Sequence, residues 1–188
     1  MKNEVTLIGT VLNEPKFLYK NDRNEFYQFT LAVYRTSEAV DYIPVISFYK
    51  ELKINDRIKI TGIYQSYNKL VNDKNKLILT VYAETIEPTE QAEDVNDVYL
   101  EGVICKQPII RNTPLGRKIA DVFIAISRPS SKRCDYLPLI LWGRNADKMN
   151  TLKIGDTIEV WGRVQSRIYM KEDKEHTAYE VSVGKLRF

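Results

Sequence analysis

The chain of 188 residues carries the same pattern twice. Asn3, Val5, Leu7 and Gly9 return as Asn96, Val98, Leu100 and Gly102, and Pro15 returns as Pro108. Ala32 and Arg35 return as Ala125 and Arg128, and Asp41-Tyr42-Ile43-Pro44 as Asp135-Tyr136-Leu137-Pro138. Leu52-Lys53-Ile54 and Asp56 match Leu152-Lys153-Ile154 and Asp156. Gly62, Gln65 and Ser66 match Gly162, Gln165 and Ser166. The order is kept and the offset drifts only by small insertions. Two copies are too few for a solenoid, so this is a duplicated domain of a size that folds alone. Glu87 to Asp94 is acidic, contains Pro88 and has no large apolar residue, which is linker composition. The expected organisation is a first domain at 1–87, a linker at 88–94 and a second domain at 95–188.

Each copy reads as short β-strands. Val5, Leu7 and Val11 alternate with polar neighbours, as do Ile58 with Ile60 and Ile158 with Val160. Phe29–Val33 and Val122–Ile126 are β-rich runs, separated from the next by turn signals at Asn21–Asn24, Asn72–Asn75 and Pro114–Gly116. Gly9, Gly62, Gly102 and Gly162 sit where a small sheet bends to close. Asn145–Asn150 reads as a short helix capped by Asn145, with no counterpart in the first copy. The expected fold class is all-β: two tandem OB-type five-stranded barrels, the second with a short helix. A generic β-sandwich satisfies the same periodicity.

Net charge is only +3, so the distribution of charge matters more than its sum. The first ninety residues balance, and the whole excess falls in the second copy. Cys105 and Cys134, far apart, read as free thiols of a reducing cytosol rather than a secreted scaffold. Met1–Thr10 lacks the apolar run of a signal peptide, and no stretch reaches the ~20 apolar residues of a membrane span. A cytoplasmic protein is expected.

At the level of residues the second copy resembles the DNA-binding domain of bacterial single-stranded DNA-binding proteins. The resemblance runs through Asn96-x-Val98-x-Leu100-x-Gly102, Pro108, Ile124-Ala125-Ile126-x-Arg128 and Asp135–Arg144. It continues through Leu152-Lys153-x-Gly155-Asp156 and Val160–Tyr169. The first copy is similar but looser, with Phe48-Tyr49-Lys50 in place of Trp142-Gly143-Arg144. Family members usually end in a flexible tail with an acidic tip, whereas this chain stops at Lys185-Leu186-Arg187-Phe188. That leaves a general replicative role and a specialised, conjugative, phage-like or primosome-related role both open.

The resemblance implies base stacking at Tyr136, Trp142 and Tyr169, and basic contacts at Arg144 and Arg167. Single-strand binders join a basic groove to flat aromatic platforms. The even separation of Tyr136 and Trp142 puts both on one face of a strand, and Tyr42 and Phe48 repeat it. Leu137, Leu139 and Leu141 take the alternate positions and can fill the interior, which argues against a purely structural role for the aromatics. Arg163 and Arg128 complete the basic set, each weighed against an ordinary surface charge. Trp161 should point outward, to DNA or to a subunit. His176, in a charged turn with Glu172, Asp173 and Glu175, has no nucleophile arranged around it, and no phosphate loop or metal-ligand spacing occurs. No enzymatic activity, cofactor or metal is expected. The expected function is non-sequence-specific binding of single-stranded DNA in replication, recombination, repair or plasmid and phage DNA metabolism. The rival is a protein-interaction module of a primosome-like assembly. Expected partners are single-stranded DNA, replication or primosome proteins, and a second copy giving a homodimer of four barrels, with no membrane.

Overall fold

The computed structural model describes residues 1–71, 73–129, 131–171 and 173–188. The chain divides into two compact units, one of Glu4–Asp97 and one of Val98–Phe188 together with Met1–Asn3.

The first unit is built on β1 (Asn3–Val11), β2 (Lys16–Lys20), β3 (Glu25–Tyr34), β4 (Val40–Ser47), β5 (Arg57–Val71) and β6 (Lys74–Pro88). β1 pairs antiparallel with both β3 and β5, β5 with β6, and β3 with β4. A short parallel contact, Val45 opposite Val81, joins β4 to β6 and closes a ring of five strands. That closure excludes the two-sheet sandwich and leaves no open edge in the ring. β2 is a sixth strand, paired to the start of β3 outside the ring.

The second unit repeats this with β7 (Val95–Ile104), β8 (Ile109–Asn112), β9 (Lys118–Ser127), β10 (Cys134–Trp142), β11 (Thr157–Lys171) and β12 (Lys174–Arg187). Its parallel closure, Leu139 opposite Val181, occupies the place of Val45 and Val81. Strand alternation sends Leu31, Ile43 and Ile60 into the first core, and Leu100, Ile124, Leu137 and Leu139 into the second.

The duplicated glycines have a steric reason. Both long hairpins shift register at the same place, between Thr61 and Gly62 and between Trp161 and Gly162. A Cβ at Gly62 would lie 2.0 Å from the Tyr82 carbonyl oxygen, and one at Gly162 would lie 2.2 Å from that of Ser182. No side chain fits such a bulge, so strand curvature here demands glycine.

The duplicated Asp and Arg also meet. Arg35 binds Asp41 and Arg128 binds Asp135 through two guanidinium nitrogens each, bracing the turns β3–β4 and β9–β10. Both aspartates are buried. Arg128, expected among the DNA contacts, has a structural task here: it neutralises a carboxylate that water cannot reach, and its own side chain stays 21% exposed.

The helix differs in detail from the expectation. α1 spans Arg144–Lys148 and runs into a 3-10 turn at Met149–Thr151. Gly143, at φ 50°, precedes it where Asn145 was expected as the cap. The Asn145 side-chain amide instead donates to the Gly184 carbonyl at 3.2 Å. The Asn21–Asn24 turn is closed by the Asn21 side chain, which accepts from the Arg23 and Asn24 amides. Asn72, in the next expected turn, lies outside the described residues.

Residues 88–94, read from composition as a linker, are tied to the first unit. Arg57 donates to the Gln91 and Ala92 carbonyls and pairs with Asp94, whose carboxylate also accepts the Tyr34 amide. Among the described residues no helix is long and apolar enough to cross a membrane, and Cys105 and Cys134 are free thiols.

Candidate nucleic-acid interface

The alternation that sends Leu137, Leu139 and Leu141 inward leaves Tyr136 and Trp142 on the outer face of β10. Tyr136 is 48% exposed and Trp142 is half-buried. Across β9, Trp142 faces Ile119. Arg144 follows at the first position of α1 and is exposed.

A second line of side chains runs along β11. Arg163, Gln165, Arg167 and Tyr169 share one face, two residues apart. Arg163 donates to the Gln165 side chain at 3.2 Å, and Gln165 donates to Glu180 on β12 at 3.2 Å. Arg167 lies 4.0 Å from Glu180, and its guanidinium carbon is 5.7 Å from the centre of the Tyr169 ring. Arg167 and Tyr169 are exposed, whereas Arg163 is half-buried. The structure thus brings Arg167 and Tyr169 together at the surface, while Arg163 belongs to a polar row beside them.

Two neighbours of this row on β12 were not among the expected contacts. Glu180 is mostly buried, and burial holds its carboxyl above the usual carboxylate range against the opposing pull of Arg167. His176 sits on β12 opposite Tyr169 rather than in a turn, and the two rings stack with centroids 5.6 Å apart. Glu172, read beside it in the sequence, lies outside the described residues. Only the cross-strand register of the β11–β12 hairpin shows either contact.

Trp161 is engaged within the second unit. It stacks on Tyr99 at 4.8 Å between ring centroids and 12° between planes, and Lys185 and Arg187 lie 4.7 and 5.5 Å from its ring.

The first unit presents Tyr42 and Phe48, both partly exposed. Phe48 lies just past the end of β4, and its ring packs against Phe26 at 4.8 Å and Tyr82 at 5.9 Å. Tyr19, on β2, stacks on Phe26 at 4.5 Å. Tyr19, Phe26 and Tyr82 carry no signal in the sequence because they come from three strands. In the second unit, register places Ile119 where Phe26 stands and Ser182 where Tyr82 stands. The aromatics of the first unit therefore pack on one another, while Trp142 has an aliphatic cross-strand neighbour. Among the described residues no group of three His, Cys, Asp or Glu could hold a metal ion.

This arrangement offers ring faces beside exposed guanidinium groups. Comparison with known proteins agrees in fold and family. The protein is similar over its length to the wild-type single-stranded DNA binding protein from Thermus aquaticus. The TM-score is 0.77 at 23% identity, covering 99% of this chain and 92% of that one. A deletion mutant of the same Thermus protein gives a TM-score of 0.79 at 22% identity, covering 99% and 93%. At these identities the likeness is one of fold. The "Single-stranded DNA-binding protein" of Oceanobacillus iheyensis is 33% identical over 95 residues, 47% of this chain and 58% of that protein. "Single-stranded DNA-binding protein A" of Bacillus subtilis is 30% identical over 101 residues, 50% of this chain and 59% of its own. The chain spans somewhat more than half the length of these curated relatives. The model of the single-strand binding protein family matches residues 95–188, the whole second repeat and half of the chain. The chain belongs to the single-strand binding protein family.

Proposed function

We propose that the protein binds single-stranded DNA without sequence preference, by stacking bases on Tyr136, Trp142 and Tyr169 and pairing phosphates with Arg144 and Arg167. The observation that carries this reading is the outward placement of Tyr136 and Trp142 on β10 while the alternate leucines fill the core. Every base has a face to stack, so such a platform tolerates any sequence. Arg163 lends charge from beneath the surface row. Tyr42 and Phe48 form a secondary platform on the first barrel, and Arg128 drops out of the contact set. The names of the curated relatives point the same way.

Titration with single-stranded homopolymer against duplex of equal length tests the proposal. Binding should favour the single strand and weaken with salt, with a slope of about −0.7 per phosphate contact. Equal affinity for duplex, or affinity flat in salt, would overturn it. The reading extends to a cytoplasmic homodimer in which two chains bring four barrels together on one strand. Light scattering should give twice the chain mass at micromolar concentration, and a stable monomer refutes that assembly.

A further inference from the structure

The first barrel has a cavity of about 510 Å3 at one end, lined chiefly by Tyr49, Leu52, Ile58, Ile86 and Pro88. Its size is that of an ordinary ligand pocket. The second barrel shows what belongs at this end. Leu52 and Leu152 stand before equivalent turns: Lys53 and Lys153 each donate their amide to an aspartate three residues on, and Asn55 and Gly155 both take positive φ. Register equates Ile58 with Ile158 and Ile86 with Leu186, and puts Phe188 in the place of Pro88.

In the second barrel the segment 143–156 leads into that turn through α1 and the 3-10 turn, which bury Ala146 and Met149, and Leu152 is buried too. Lys148, on the same helix, reaches to 5.9 Å from the Phe188 ring. In the first barrel the shorter segment 48–56 forms no helix, and Leu52 is left half-exposed. The cavity is thus an apolar end that lacks the helix covering its counterpart.

We propose that this cavity receives a short amphipathic helix from a partner protein. Its apolar side would carry a small residue and a larger apolar one three positions on, spaced as Ala146 and Met149 are, and its flanks would be basic. The spacing follows from what occupies the matching place in the second barrel. The basic flanks follow from the rim, where Glu51 is exposed and Asp56 half-exposed. Arg57, also at the rim, is engaged by the Gln91 and Ala92 carbonyls and by Asp94, so it does not cancel that charge. The helix it replaces has the same character, with Arg144 and Lys148 on its exposed side.

The probe is a capped peptide with the sequence of residues 143–153 of this chain, titrated into the full-length protein labelled at isoleucine and leucine methyls. Saturable shifts are expected at Leu52, Ile58 and Ile86. They should vanish in Leu52→Trp, which puts a bulky ring into the helix-binding end of the cavity, and require several-fold more peptide in Glu51→Lys. A control peptide with aspartate at the positions of Ala146 and Met149 should leave the spectrum unchanged. Silence up to millimolar peptide, equal response to the control peptide, or shifts that survive Leu52→Trp would overturn the proposal. Should Leu52→Trp lose its dispersed spectrum, the surface change Glu51→Lys and the control peptide decide alone. No nucleic acid enters the measurement, so the result stands apart from the DNA-binding reading.

Discussion

The two barrels share their frame and differ in what they present. Each closes five strands through the same parallel contact, bulges at the same glycine and braces one turn with the same buried Asp–Arg pair. They part at the end, where one has a helix and the other a cavity, and on the outer face. There the first barrel packs Tyr19, Phe26, Phe48 and Tyr82 together, while the second sets Trp142 beside Ile119, with Arg144 exposed. Residues that dictate backbone geometry persist in both copies, whereas the ring at the end of β4 and β10, Phe48 or Trp142, and its neighbours have diverged.

The largest effect should come from the shared frame. Removing Arg128 or Arg35 leaves Asp135 or Asp41 buried without its counter-charge, at a cost of roughly 3 kcal/mol. Arg128→Ala and Arg35→Ala should therefore lower stability alike in denaturant titrations. An Arg128→Ala protein that unfolds like the parent but binds DNA more weakly would return Arg128 to the contact set.

Next comes the difference between the faces. A stacked base is worth roughly 1–3 kcal/mol, so Trp142→Ala should weaken single-strand binding about tenfold or more. Phe48→Ala should weaken it less, because that ring is already packed against Phe26 and Tyr82, and should cost more in stability. Anisotropy on one labelled oligonucleotide, beside a melt of each variant, checks both halves. If Phe48→Ala is the more damaging to binding, the dominant platform lies on the first barrel.

The sequence was most readable where backbone and side-chain pattern share a cause. Alternation at Leu137, Leu139 and Leu141 identified inward positions, and the repeated glycines marked bends. The identity of the Asp–Arg brace was hidden because a basic residue near aromatics looks the same whether it faces phosphate or a buried carboxylate. The helix start was misjudged because asparagine is a good cap by propensity, whereas Gly143 holds a positive φ that the turn into the helix requires. The contacts of Tyr19 with Phe26, and of Tyr169 with His176, depend on strand register, which composition does not encode.

The smallest expected effect concerns a position where the barrels differ in charge. Register places Glu180 of the second barrel where the first has Thr80. Burial raises the folded-state pKa of Glu180 above its unfolded value, so the ionised carboxylate weakens the fold. Well below the ordinary carboxylate range both states are protonated and the group is neutral to stability. As pH rises through the unfolded and then the folded pKa, the unfolded chain ionises first and stability is lost, fully so above the folded value. Glu180→Gln keeps an acceptor for the Gln165 amide and removes the charge. It should raise the melting temperature slightly at neutral pH and leave it unchanged in acid. The gain is modest because the partly exposed Arg167 loses a neighbour worth at most about 1 kcal/mol. With that neighbour gone, Arg167 is more available to phosphate, so single-strand affinity should rise a few-fold. Equal stabilisation at both pH values would show that burial of the charge is not what Glu180 contributes.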